Sequence, residues 1–344
     1  MPIHNCHIHT FTVRHVPDRF LPGPLMWALK HAFTRRILIW ILEHIDPFDQ
    51  RDLAQRYAHF LAMGEQSSQE DIFNVVAARY PADTVFVILP MDLAWMHAGN
   101  VPESLAQQHA DVAALARRFA GRIVPFFAVD PRRPGVLADL KAGVEGAGFR
   151  GVKLYPNLGY SPQDSALAPV LDYAHGNRLP VLCHCSRSGV YDQALGAAEA
   201  SKFADPDNYL PVLAARPDLR LCLAHFGGDA EWAGYLGSLA AGTSPAATNW
   251  VVKIRNLLSG GQYPNLYTDI SYTIFRFDER IAALKALLAD DRVRSRVLFG
   301  SDFYMIEQER FKEVDLVPRL RSALGDAWLR QLTEDNPRRF LGLP

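Results

Sequence analysis

Near its start the chain carries His7-Ile8-His9, and far downstream stand His184, His225 and Asp302. Imidazole nitrogens and a carboxylate are what a borderline cation such as zinc takes in an open catalytic site. A lone histidine is more often a hydrogen-bonded structural residue. These five gain weight from joint placement, because each lies at or just after the end of a short apolar run. Barrel enzymes gather their reactive groups at that end of their strands.

The runs that must position them are Ile3–Thr10, Thr84–Met91, Arg122–Val129, Gly151–Tyr155, Leu179–His184, Leu219–His225, Leu266–Ile270 and Arg296–Gly300. They are apolar and bounded by Gly, Pro or Asp, as strands buried on both faces of a parallel sheet are. Amphipathic stretches separate them, at about 103–119, 134–146, 166–177, 208–216, 278–289 and 316–331. Ser67-Ser68-Gln69-Glu70 has capping-box spacing ahead of Ile72, Val75 and Val76. Eight strands alternating with helices predict an α/β protein, a (β/α)8 TIM barrel. The rival doubly wound sheet lacks support, since no G-x-G-x-x-G follows the first strand.

Strand periodicity gives a parity test. His7 and His9, two apart, both point into the barrel mouth. Cys6, Cys183, Cys185 and Cys222 are then expected to face the helical layer as packing residues, since a free thiol behaves as a small hydrophobe.

The length of 344 residues exceeds the roughly 250 of a plain barrel. The excess falls between the first strand and Ser67: residues 14–66 read as a helical insertion or lid within one 1–344 barrel, rich in apolar residues over Pro24–Ile45. Lys30, His31, Arg35, Arg36 and Glu43 interrupt that run and argue against a membrane span. An apolar patch of this kind also makes a homodimer the expectation. With 36 Lys+Arg against 37 Asp+Glu, the net charge of −1 excludes a general nucleic-acid binder. Four cysteines without C-x-x-C spacing and an N-terminus unlike a signal or transit peptide point to the cytoplasm. Ser186-Arg-Ser-Gly189 lacks the G-x-S-x-G elbow, which sets serine-nucleophile chemistry aside.

His7-x-His9, a histidine ending strand five, another ending strand six and an aspartate after strand eight together resemble the amidohydrolase superfamily. His225-Phe-Gly-Gly, Leu298-Phe-Gly-Ser-Asp302 and Asn336-Pro-Arg-Arg-Phe-Leu-Gly342 resemble, more narrowly, its amidohydrolase-2 branch, which contains aminocarboxymuconate semialdehyde decarboxylase. The resemblance implies that His7, His9, His184 and Asp302 hold one divalent metal, zinc in the first instance. It also implies that His225 stands beside a metal-activated water as base or hydrogen-bond partner, with Asp302 shuttling its proton.

Lys153, in Gly151-Val-Lys-Leu-Tyr-Pro156, carries three readings. Carboxylated, it would bridge a second metal, as in two-metal members of the superfamily. As an ammonium it would meet a substrate carboxylate, or simply sit in a salt bridge; a buried cation requires an anionic partner. Tyr155 shares its face, and Arg276, Tyr272 and Tyr304 follow strands seven and eight as further candidates for meeting substrate. The expectation is a hydrolase acting on a small carboxylated or cyclic molecule. The alternative is a nonoxidative decarboxylase of a small aromatic or unsaturated acid, using the same ligands.

Overall fold

In the computed structural model, residues 2–20, 62–63, 66–309 and 311–344 are described. Eight strands form in chain order: β1 His4–Ile8, β2 Val85–Ile88, β3 Ile123–Val129, β4 Gly151–Leu154, β5 Val181–Cys183, β6 Leu221–Leu223, β7 Leu266–Asp269 and β8 Val297–Leu298. Each is parallel to the next, in the order β1-β2-β3-β4-β5-β6-β7-β8. The ring closes just beyond β8, where Cys6 N–H donates to the Phe299 carbonyl at 2.9 Å and Asp302 N–H to the His7 carbonyl at 2.8 Å. This is the (β/α)8 barrel expected from the apolar runs. The insertion expected over 14–66 lies largely outside the described residues, as does the Pro24–Ile45 patch on which the homodimer was expected.

Helices follow the strands at the predicted places, among them Leu105–Arg118, Ala168–Gly176 and Phe277–Leu288. The helix that precedes β2 spans Gln69–Ala77 and is capped one residue later than the spacing suggested. Ser68, not Ser67, accepts from a backbone N–H, that of Asp71 at 3.1 Å, and both serine hydroxyls donate to the Asp71 carboxylate. Aspartate at the third helical position performs the reciprocal role expected of Glu70.

Two apolar layers separate cleanly. Phe86, Ile88, Phe127, Val152, Leu154 and Val181 pack outward with the helices, whereas Val87, Val124, Phe126, Leu182 and Leu298 fill the barrel. Phe340 and Leu341, in the C-terminal helix Asn336–Leu341, plug the interior, with the Phe340 ring 5.2 Å from Tyr267.

The cysteine expectation holds for Cys183 and Cys185 and fails for two others: Cys6 and Cys222 belong to the interior cluster. On β1 the pairing register slips between Asn5 and Ile8. Such an irregularity lets Cys6 and His7 both turn inward, which strict alternation forbids. On β6, Cys222 and Ala224 alternate inward, and His225 then enters the site from a turn with φ 67° rather than from the strand. All four thiols are buried and free.

The seam between β8 and β1 requires glycine at 300. A Cβ there would lie 2.7 Å from the His7 Cβ and 3.2 Å from that of Ser271. Gly300→Ala is expected to cost about 1–3 kcal/mol by overpacking and to displace His7. Thermal denaturation checks the first effect and metal titration the second.

A buried polar network backs the same seam. Asn5 donates to Ser301 Oγ at 2.9 Å and to Tyr80 Oη at 3.3 Å, and Tyr80 donates to Glu313 at 2.8 Å. Arg79 bridges Glu313, at 3.0 Å, and Glu307. Burial above all, and the Glu307 charge, push the Glu313 carboxyl up to about 7, against Arg79 and its hydroxyl partners. An acid whose pKa is raised by folding stabilises fully below its ordinary value of 4.5 and loses that contribution as pH rises to about 7. Glu313→Gln is therefore expected to flatten the pH dependence of the melting temperature between these limits; an unchanged slope would exclude the assignment.

Candidate metal and active site

His7 and His9 project from the end of β1 and Asp302 follows β8, in a left-handed backbone conformation with φ 65°. Asp302 Oδ1 lies 3.5 Å from His7 Nε2 and 3.2 Å from His9 Nε2. His7 Nδ1 meets Asp269 Oδ2 at 2.9 Å, and His9 Nδ1 meets the Leu89 carbonyl at 2.7 Å. Both of those oxygens only accept, so both rings carry their proton on Nδ1 and turn an Nε2 lone pair inward. Burial first, then the Lys153 charge, lower the His7 pKa to about 3, so its imidazole is neutral. Burial opposes ionisation of Asp302, yet His7, His9 and His225 hold its carboxyl below the usual range.

The donor set fits a cation. His7 Nε2 and Asp302 Oδ1 are buried and, among the described residues, neither makes an aligned hydrogen bond. Two imidazole lone pairs and a carboxylate oxygen within 4.8 Å of one another suit zinc and its first-row neighbours.

His184 and His225 form a second pair. His184 Nε2 donates to the Ser188 carbonyl at 2.8 Å, leaving its Nδ1 3.1 Å from His225 Nε2. The Tyr155 ring stacks on His184 with centroids 4.1 Å apart. The structure thus gathers three of the four expected metal ligands and sets His184 beside His225. Coordination by His184 requires one of its two contacts to open.

His9, His184, His225 and Asp302 line a cavity of about 130 Å³ whose apolar walls include Met91, Tyr155, Val190, Tyr272 and Met305. The Tyr155 hydroxyl accepts from Val190 N–H at 3.2 Å. Lys153 points into the barrel beneath it, 1% exposed, its Nζ without a hydrogen-bond partner among the described residues and 5.6 Å from the Tyr155 ring centroid. Burial lowers its pKa to about 8. Arg276 is not brought in: it lies at the surface between Asp229, at 3.4 Å, and Glu279, at 3.8 Å. Tyr304 is buried beside Phe11, ring centroids 5.3 Å apart.

The sequence reading missed Asp269 and Ser271, both fully buried, at and beyond the end of β7. Asp269 stands one residue before the end of its apolar run, Leu266–Ile270, and that position was its only signal. A separate trio, His15, Glu103 and Asp111, also brings ligand-type atoms together. There Thr12 N–H donates to His15 Nδ1 at 3.0 Å, so Nε2 carries the proton and offers no lone pair.

The amidohydrolase family model matches residues 6–343. The chain belongs to the amidohydrolase-2 family. Its family is one of enzymes, generally metal-dependent, and the His7–His9–Asp302 cluster agrees with that. Three solved structures resemble this amidohydrolase along nearly all of both chains. A probable 2-pyrone-4,6-dicarboxylic acid hydrolase from Acinetobacter baumannii is 13% identical, with TM-score 0.60 and 100% of each chain covered. The 5-carboxyvanillate decarboxylase of Sphingomonas paucimobilis is 11% identical, with TM-score 0.57 and 100% of each covered. The 4-oxalomesaconate hydratase of Rhodopseudomonas palustris is 16% identical, with TM-score 0.53, covering 99% of this amidohydrolase and 95% of that chain. At these identities the likeness is one of fold. No curated protein matches the amidohydrolase. No helix among its described residues is long and apolar enough to cross a membrane.

Proposed function

We propose that the protein is a metal-dependent hydrolase of a small carboxylated or cyclic substrate. The observation that carries this is the convergence, at the end of an apolar-walled cavity, of two Nε2 lone pairs and an Asp302 Oδ1 that makes no aligned hydrogen bond among the described residues. His7, His9 and Asp302 would hold one divalent ion, zinc being the best match to the donors, with His184 as fourth ligand once released. Such an ion, when bound, supplies a Lewis acid and a source of hydroxide at neutral pH.

Asp302, ionised and buried, takes the proton of the attacking water and returns it to the leaving group. His225, its Nδ1 set against the Ser271 carbonyl and hydroxyl, turns Nε2 to the cavity wall, where its lone pair accepts from the attacking water. The Tyr155 hydroxyl, which accepts from Val190 N–H, keeps its own proton for a substrate oxygen. Lys153, the one cation in the interior near these groups among the described residues, supplies positive charge for a substrate carboxylate; the three neighbours named above all bear names of carboxylic acids.

The second reading is nonoxidative decarboxylation, favoured by the His184–His225 pair: a proton held between the two imidazoles, 3.1 Å apart, would be delivered to a substrate carbon. A panel of lactones and aromatic acids, followed for both hydrolysis and carbon dioxide release with Zn2+-loaded protein, separates the two. Hydrolysis without carbon dioxide is expected; carbon dioxide from the acids with intact lactones would overturn the hydrolase reading.

A further inference from the structure

We propose that Asp269 is the positioning residue of the site, holding a metal ligand from β1 and the imidazole after β6 in working orientation at once. The inference rests on the metal reading of His7, His9 and Asp302 given above.

The Asp269 carboxylate is fully buried, and its two oxygens are divided between two tasks. Oδ2 accepts from His7 Nδ1–H at 2.9 Å. Oδ1 accepts from the backbone N–H of His225 at 2.8 Å, from that of Ser271 at 3.1 Å and from the Ser271 hydroxyl. Four N–H and O–H donors, with the Cys222 thiol 4.0 Å from Oδ2, compensate a charge that could not otherwise remain in the interior. Because an ionised carboxylate has no proton to give, His7 is fixed as the Nδ1–H tautomer, with its lone pair on the atom that faces Asp302 and His9. The second contact acts on backbone. His225 adopts φ 67°, an uncommon conformation for a residue with a side chain, and its N–H is tied to Asp269 while its carbonyl accepts from Thr273 Oγ at 2.7 Å. Ser271 Oγ, 3.1 Å from His7 Nδ1 and 2.9 Å from His225 Nδ1, joins the two rings. One β7 carboxylate therefore sets both the ligand and its neighbouring acid–base group.

Asp269→Asn keeps the shape of the side chain but replaces one acceptor oxygen with a donor amide, so one of the two contacts becomes donor against donor. Zn2+ affinity, read by competition with a chromophoric chelator, is expected to fall 10–100-fold, with the absorption spectrum of the Co2+-loaded protein altered. Wild-type affinity and spectrum in Asp269→Asn, alongside lost affinity in His7→Ala, would overturn the positioning role alone. Wild-type affinity in both variants would overturn the metal reading, and this inference with it. A measurement on the unaltered protein stands even if the variant fails to fold. In nitrogen-15 histidine-labelled protein, long-range imidazole spectra should show His7 as the Nδ1–H tautomer; an Nε2–H tautomer would overturn the proposal.

Discussion

Asp302→Ala is expected to lower kcat/KM by about 10³-fold or more, and to lower bound metal in parallel. The size follows from the two roles proposed for one carboxylate. A positioned acid–base group contributes roughly 10²–10⁴-fold, and a ligand lost from a three-donor cluster weakens whatever the cluster holds. The fold is expected to survive, since Asp302 Oδ1 makes no aligned hydrogen bond among the described residues and its removal leaves His7 and His9 anchored through Nδ1. Elemental analysis of the purified variant together with steady-state kinetics checks both effects. Full metal content with lost activity would leave Asp302 a base only, and wild-type values of both would remove it from the site.

Lys153→Met carries the second large effect, and it has two opposite signs. The Lys153 ammonium is buried, its hydrogen-bonding capacity unused among the described residues, and its pKa is lowered from 10.5 to about 8. A base with a folded-state pKa below its unfolded value destabilises the fold while protonated. That cost is fully present below about pH 8 and is relieved as pH rises toward 10.5. Exchanging the cation for an apolar side chain of similar length is expected to stabilise the protein by on the order of 1–4 kcal/mol at neutral pH. The same change removes the charge proposed to meet a substrate carboxylate. Activity on carboxylated substrates should fall about 10²-fold or more, in line with truncating one partner of a buried charge pair. Melting temperature against pH, with kcat/KM for carboxylated substrates and their uncharged esters, reads both signs. A variant that is less stable and loses activity on acids and esters alike would favour a structural or metal-bridging lysine instead.

The barrel was legible in the sequence because its strands are buried on both faces. Runs such as Arg122–Val129 and Leu179–His184 then stand out as unbroken apolar segments, and the chemistry-bearing residues fall at their ends. His7, His9 and Asp302 were found that way. Side-chain direction was less legible. The register slip on β1 that turns Cys6 inward leaves no mark in residue type, and the left-handed turn at His225 breaks strand parity where parity was being used. Asp269 stayed hidden because its importance lies in what it touches across the barrel, 262 residues from His7. Arg276 shows the converse: a cation placed after the right strand, but held at the surface by Asp229 and Glu279.

The seam that closes the barrel also fixes an order of events during synthesis. Asn5 and Ser301, which hydrogen-bond across it, are 296 residues apart. His7 and His9 are made before every other strand of the barrel, whereas Asp302 follows β8 and the plug at Phe340 and Leu341 comes later still. A nascent chain stopped before β8 displays two imidazoles without the carboxylate that completes their cluster. On the metal reading proposed above, the ligand set is therefore complete only once all eight strands have been made.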